Sequence, residues 1–180
     1  MRVQKLTAAA CCGIALNLGY PLAFAADPPV AAPVPVALQP PAGSVLRVKF
    51  AARGVQIYQC QGTEWKLQGP DAQLFDSNGK QQAKHYAGPT WEAADGSKVI
   101  GEPVAHDDGP DPQAVPWLLV RAKSNSGTGL FSDVRTIQRL HTSGGRAPAT
   151  VCSAATAGQT ERVTYSAEYY FYTEGSGAKP

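Results

Sequence analysis

Val163-Thr164-Tyr165-Ser166-Ala167-Glu168-Tyr169-Tyr170-Phe171-Tyr172, near the end of this 180-residue chain, decides the fold. Successive side chains of a strand point to opposite faces. Val163, Tyr165, Ala167, Tyr169 and Phe171 therefore share one face, and Thr164, Ser166, Glu168, Tyr170 and Tyr172 share the other. Alternation this strict predicts a long amphipathic strand whose apolar face lies on a core. Such a strand needs partners, and the preceding residues supply them as short β-type runs separated by turn chemistry.

Working outward, residues 45–51 and 55–61 read as a hairpin in which Gly54 takes the turn position. In the second run Gln56, Tyr58 and Cys60 share one face, and Val55, Ile57 and Gln59 the other. Residues 64–67 and 72–75 are two further short runs, and Asp76-Ser77-Asn78-Gly79 is a turn with its left-handed residue supplied. Gly69-Pro70 before that turn is echoed by Gly88-Pro89 before Asp95-Gly96-Ser97, as successive hairpins of a meander would produce. Residues 102–116 read as loop, and 117–122 as a buried central strand. Residues 134–141 are ambiguous: Phe131, Val134, Ile137 and Leu140 fall at helical spacing, while Val, Thr and Ile favour a strand. No segment combines helix caps with a 3.6-residue period. The expected fold is all-β, an antiparallel sandwich or barrel with long loops.

The first residues carry an address rather than structure. Arg2 and Lys5 precede an apolar run over 6–22, and Ala23-Phe24-Ala25 supplies small residues for cleavage, so 1–25 is expected to be a Sec signal peptide. The run is short and broken by Pro21, which makes it a poor membrane anchor. A periplasmic or extracellular domain over 43–175 is expected. Ahead of it lies a Pro/Ala-rich, extended linker over 26–42, and after it a disordered tail over 176–180. Without Arg2 and Lys5 the formal charge of +2 falls to about zero, which argues against nucleic acid and anionic lipid as partners. No membrane span is expected after cleavage. Cys60 and Cys152 remain, and an even number of cysteines in an oxidising compartment predicts one disulfide, pinning an early strand to a late one. Neither a C-x-x-C spacing nor a nearby histidine supports a metal or nucleophile role for them.

Several ordered motifs resemble a known family. They are Gly54-Val55-Gln56-Ile57-Tyr58-Gln59-Cys60, His85-Tyr86-Ala87-Gly88-Pro89-Thr90-Trp91, Pro116-Trp117-Leu118-Leu119 and Arg139-Leu140-His141-Thr142-Ser143-Gly144-Gly145, followed by Cys152 and the closing alternating strand. Together, over roughly residues 40–173, they resemble the secreted, functionally uncharacterised DUF3455 family of bacteria and fungi. The resemblance implies an exported β-rich domain with no established activity. Some fungal relatives carry a malate dehydrogenase label. This chain has no strand, G-x-G-x-x-G and helix in succession, so the label has no support here and no cofactor is expected.

Three groups of residues are candidates for chemistry. An imidazole, a bend and an indole in His85, Gly88-Pro89 and Trp91 would suit a pocket for sugars or flat apolar ligands. The preferred plainer account makes Trp91 core, Gly88-Pro89 a turn and His85 hydrogen-bonded within the sheet. His106, Asp107, Asp108 and Asp111 offer metal-type donors, but the spacing matches no EF-hand and Asp beside Gly and Pro is ordinary turn chemistry. Arg135, Arg139 and His141 precede Gly144-Gly145, a pair able to orient N–H groups towards an anion, against the simpler reading of a structural turn. No G-x-S-x-G, H-E-x-x-H or zinc spacing is present. The leading expectation is a non-catalytic binding or structural module whose partner is a small molecule or envelope component. The alternative is a small secreted hydrolase using His85 or His141 with a nearby carboxylate.

Overall fold

The computed structural model describes residues 32–175, so the expected signal peptide, the first part of the linker and the tail lie outside the described residues. The strands are β1 (Ser44–Gln61), β2 (Glu64–Phe75), β3 (Gln81–Tyr86), β4 (Thr90–Ala93), β5 (Lys98–Asp107), β6 (Trp117–Ser126), β7 (Thr136–Gly144) and β8 (Thr160–Glu174). Each pairs antiparallel with its sequence neighbours, and β8 closes on β1, so the eight form one barrel. The choice left open between sandwich and barrel is settled by that last ladder, which runs from Ser44↔Glu174 to Gln59↔Thr160. Closure gives every strand a neighbour on both sides.

The decisive stretch behaves as its pattern requires: Tyr165, Ala167, Tyr169 and Phe171 of β8 are buried in the barrel interior. The expected hairpin around Gly54 does not form. β1 runs straight through it, and Gly54 sits between Ala72 of β2 and Tyr165 of β8. Its missing side chain serves close approach instead of a turn, because a Cβ there would lie 2.5 Å from the Ala72 Cα and would overlap the Asp71 carbonyl oxygen. The two runs at 64–67 and 72–75 likewise belong to one strand. Gly69, at φ 146°, takes up a bulge at which the pairing of Ile57 and Tyr58 skips one residue. The Asp76 turn forms as expected, its carboxylate accepting from the N–H groups of Asn78 and Lys80.

Residues 136–141 resolve as strand and 134–135 as the loop before it, and the helical spacing has another origin. Phe131 and Val134 belong to a loop that folds into one end of the barrel, fixed by Asn125 Nδ2 donating to both of their carbonyls. Ile137 points inward from β7, and Leu140 packs outside against Leu38 and Trp117. β5 also reaches further than expected, through Pro103 to Asp107, with a register slip between Pro103 and Ala105.

The linker reading is corrected for the described residues 32–42. Val36–Leu38 forms a short 3-10 turn that buries Leu38 completely against Trp117 and Leu140, and Gln138 Nε2 donates to the Leu38 carbonyl at 2.6 Å. The prolines set up an extended approach, but one leucine in the segment finds an apolar hollow on the barrel's outer face. Cys60 and Cys152 are bonded, with Cα atoms 5.4 Å apart. The bond joins the end of β1 to the loop ahead of β8 and not, as expected, to a late strand. Among the described residues no helix is long and apolar enough to cross a membrane.

Candidate functional site

The barrel interior is divided. Around Phe50, Leu74, Val99, Val120, Phe131, Ile137 and Phe171 it is apolar. Towards the opposite end the inward-facing positions become polar: Gln56 and Tyr58 from β1, His85 from β3, Arg139 from β7, and Tyr165 and Tyr169 from β8. Registry builds this group. His85 lies directly opposite Trp91 on β4, and Arg139 lies directly opposite Tyr169.

The His85 and Trp91 rings are stacked, with centroids 4.3 Å apart and planes 6° from parallel, and Tyr169 meets both edge-on. The His85 Nδ1 lies 2.9 Å from the Thr90 carbonyl oxygen. A carbonyl only accepts, so Nδ1 carries the proton and Nε2 keeps its lone pair. Burial, only partly offset by the bond to Thr90 and reinforced by the Arg139 charge, holds the His85 pKa down at about 3. His85 is thus a neutral imidazole at ordinary pH. Burial also pushes the Tyr165 and Tyr169 hydroxyls up, so Arg139 carries the only formal charge in the group.

Arg139 Nε and Nη2 donate to the Pro116 carbonyl at 3.0 and 2.8 Å, which ties the guanidinium to the loop closing this end. The same loop is held by Thr142 Oγ1 on the Val115 carbonyl and by Val115 N–H on the Gly144 carbonyl. Gly144 and Gly145, at φ 65° and 83°, let the chain turn in over the barrel mouth. A Cβ on Gly145 would lie 2.7 Å from that of Tyr165, and its carbonyl accepts from the Tyr58 hydroxyl at 2.7 Å. A recess of about 330 Å³ opens here. Leu67, Pro70, Pro89, Pro103 and Leu118 form its apolar wall, and Gln56, His85 and Arg139 its polar lining. Four buried polar atoms around this cluster have no hydrogen-bond partner among the described residues: Gln56 Nε2, Trp91 Nε1 and the hydroxyls of Tyr165 and Tyr169.

Most sequence candidates meet here. The plainer account of His85 and Trp91 describes their packing correctly, and His85 additionally lines the recess. The grouping of Arg135, Arg139 and His141 does not survive. Arg135 lies towards the other end of β8, its N–H on the Tyr172 carbonyl. His141, at φ 50° within a β7 bulge, turns outward. There its Nδ1 lies 2.6 Å from the Glu168 carboxylate, which also contacts Lys49 at 2.7 Å and the Tyr170 hydroxyl at 2.6 Å. Burial opposes ionisation of Glu168, but hydrogen bonds from Lys49, Tyr170 and His141 outweigh it and hold its pKa at about 2. This gives His141 the acid partner that the hydrolase alternative needs. No Ser, Thr or Cys hydroxyl or thiol hydrogen-bonds to it among the described residues, so the alternative is not favoured.

The acidic loop disperses too. Asp107 and Asp111 accept from the N–H groups of Gly109 and Gln113, and Asp108 pairs with Arg146 at 3.2 Å. No cluster of three or more metal-type ligands occurs among the described residues. The residues that sequence reasoning missed are Gln56, Tyr165 and Tyr169. The signal for Gln56 was its place between inward neighbours in an alternating strand, where an amide has no packing reason to be.

Fold and site together define an all-β barrel domain, apolar in its middle and polar, with an open recess, at one end. The chain belongs to the family described as protein of unknown function (DUF3455), whose model matches residues 41–173. Comparison with curated proteins and with solved structures found no match.

Proposed function

We propose that this chain is an exported, disulfide-stapled barrel that binds a small molecule in the recess at its polar end and does not itself catalyse a reaction. The observation that carries this reading is the set of four buried, unpartnered polar atoms gathered around His85 and Arg139. Leaving a buried donor or acceptor unsatisfied costs about 1–3 kcal/mol. Of these four residues Gln56 lines the recess, and a ligand that hydrogen-bonds to it there removes part of that cost and draws binding free energy from it. Export is supported by the charged start, apolar run and Ala23-Phe24-Ala25 of the sequence. The Cys60–Cys152 bond fits an oxidising compartment. The test is native mass spectrometry of the exported protein beside a denatured, non-reduced sample. Excess mass lost on denaturation, and lost from an Arg139→Gln variant, is the expected result. A bare-chain mass together with hydrolytic turnover abolished by His141→Ala in a folded protein would overturn the reading.

A further inference from the structure

We infer that the ligand is a small organic carboxylate with an apolar body, its carboxylate on Arg139 and Gln56 and its body against the Leu67 and proline wall of the recess. The inference rests on the binding reading above and names the chemistry of that site.

Charge decides the head group. Arg47, Arg121, Arg146 and Arg162 each pair with a carboxylate. Arg139 pairs with none among the described residues, although it is less exposed than they are. Its neighbours Tyr58, His85, Tyr165 and Tyr169 are all neutral, so no carboxylate among the described residues balances it. A half-buried cation without a counter-charge is costly unless an anion joins it. Nε and Nη2 are engaged with Pro116, and the remaining N–H groups of the guanidinium are free of that carbonyl. The second donor is the amide of Gln56, a residue that lines the same recess and whose buried Nε2 has no partner among the described residues. Two donor groups, one of them charged, match the two oxygens of a carboxylate. The His85 Nε2 lone pair beside them accepts and does not donate, and it disfavours further negative charge on the ligand.

The wall decides the body. Leu67 is 55% exposed yet lines the recess, and Pro70, Pro89, Pro103 and Leu118 continue the same apolar surface. An inorganic anion makes no use of that surface. A ring or short chain attached to the carboxylate covers it.

The test is a titration of the full mature protein with benzoate and cyclohexanecarboxylate against benzamide, benzyl alcohol and inorganic phosphate, followed by NMR. The expected result is saturable shifts for the carboxylates, at least tenfold tighter than for the neutral analogues or phosphate, since a hydrogen bond to a charged group is worth that much. Arg139→Gln should weaken benzoate at least tenfold. That side chain also anchors Pro116, so two further variants keep the result readable. Gln56→Met breaks no side-chain hydrogen bond among the described residues and should weaken benzoate several-fold. Leu67→Glu places a like charge on an exposed rim position and should do the same. Equal binding of benzamide and benzoate, preference for phosphate, or benzoate binding untouched by all three variants overturns the carboxylate assignment. A retained neutral adduct in the native mass spectrum would sink the carboxylate while sparing the binding module. A bare chain with no response to any probe would sink both.

Discussion

His85 makes acid stability a gauge of how dry the polar end of the barrel is. In the unfolded chain an ordinary histidine takes up its proton near pH 6.5. In the folded protein burial delays that step to about pH 3. The native state therefore binds fewer protons than the unfolded state throughout that window, and stability falls as pH falls. The contribution is fully present above about pH 6.5 and is lost progressively towards about pH 3. Once the unfolded histidine is mostly protonated, the slope is about 1.4 kcal/mol per pH unit, and from about pH 7 to about pH 5 the loss integrates to about 2 kcal/mol. The carboxylates with lowered pKa values, Glu168 foremost, add little there, because their unfolded counterparts titrate near pH 4. The assay is urea unfolding at several pH values for the wild type and for His85→Phe, which keeps a ring on Trp91 and removes the titration. The wild type should lose about 2 kcal/mol more than the variant across that interval. Equal losses would mean that His85 titrates as a solvated imidazole, and the buried, neutral imidazole described above would be wrong.

Further outcomes follow from particular contacts. Gly54→Ala should cost about 3 kcal/mol in chemical denaturation, because the added methyl meets the backbone of β2; an unchanged midpoint would refute the close approach. Leu38→Ala should cost about 2–3 kcal/mol and expose Trp117 to fluorescence quenchers, whereas a tether that only leads into β1 would tolerate it silently. Replacing Cys60 and Cys152 by serine should cost about 2–5 kcal/mol in a thermal or denaturant melt, since the bond spans 92 positions of sequence. A melt indifferent to both the variant and reductant would contradict that.

Much of the site was half visible in the sequence. His85, Trp91, Arg139, Gly144 and Gly145 stood out as side chains or turns with chemical potential, and they do converge. Their convergence could not be read, because it depends on which strand follows which around the barrel and on registers such as Arg139 opposite Tyr169. His141 shows the limit. Simple alternation from Arg139 would place both on one face, but a bulge between Leu140 and Ser143 turns the imidazole out to Glu168. Gln56 shows the converse, an inward polar residue that alternation exposes but that has meaning only once its neighbours prove unable to bond it.

What the sequence by itself determined is the material of the fold: strands with one apolar face, turns at Asp76 and Asp95, and a cysteine pair suited to one disulfide. These depend on local period and on backbone preferences that each short segment carries alone. What only the tertiary structure decided is closure and everything closure creates. The same alternating strands pack equally well as two facing sheets or as one ring, and the difference lies in the β1–β8 ladder between the two ends of the domain. Glycines 54 and 69 looked like breaks and became a close approach and a bulge inside continuous strands. An unbalanced arginine, an orphaned amide and a neutral histidine become neighbours only when that ring closes, because residues far apart in sequence then share a single interior.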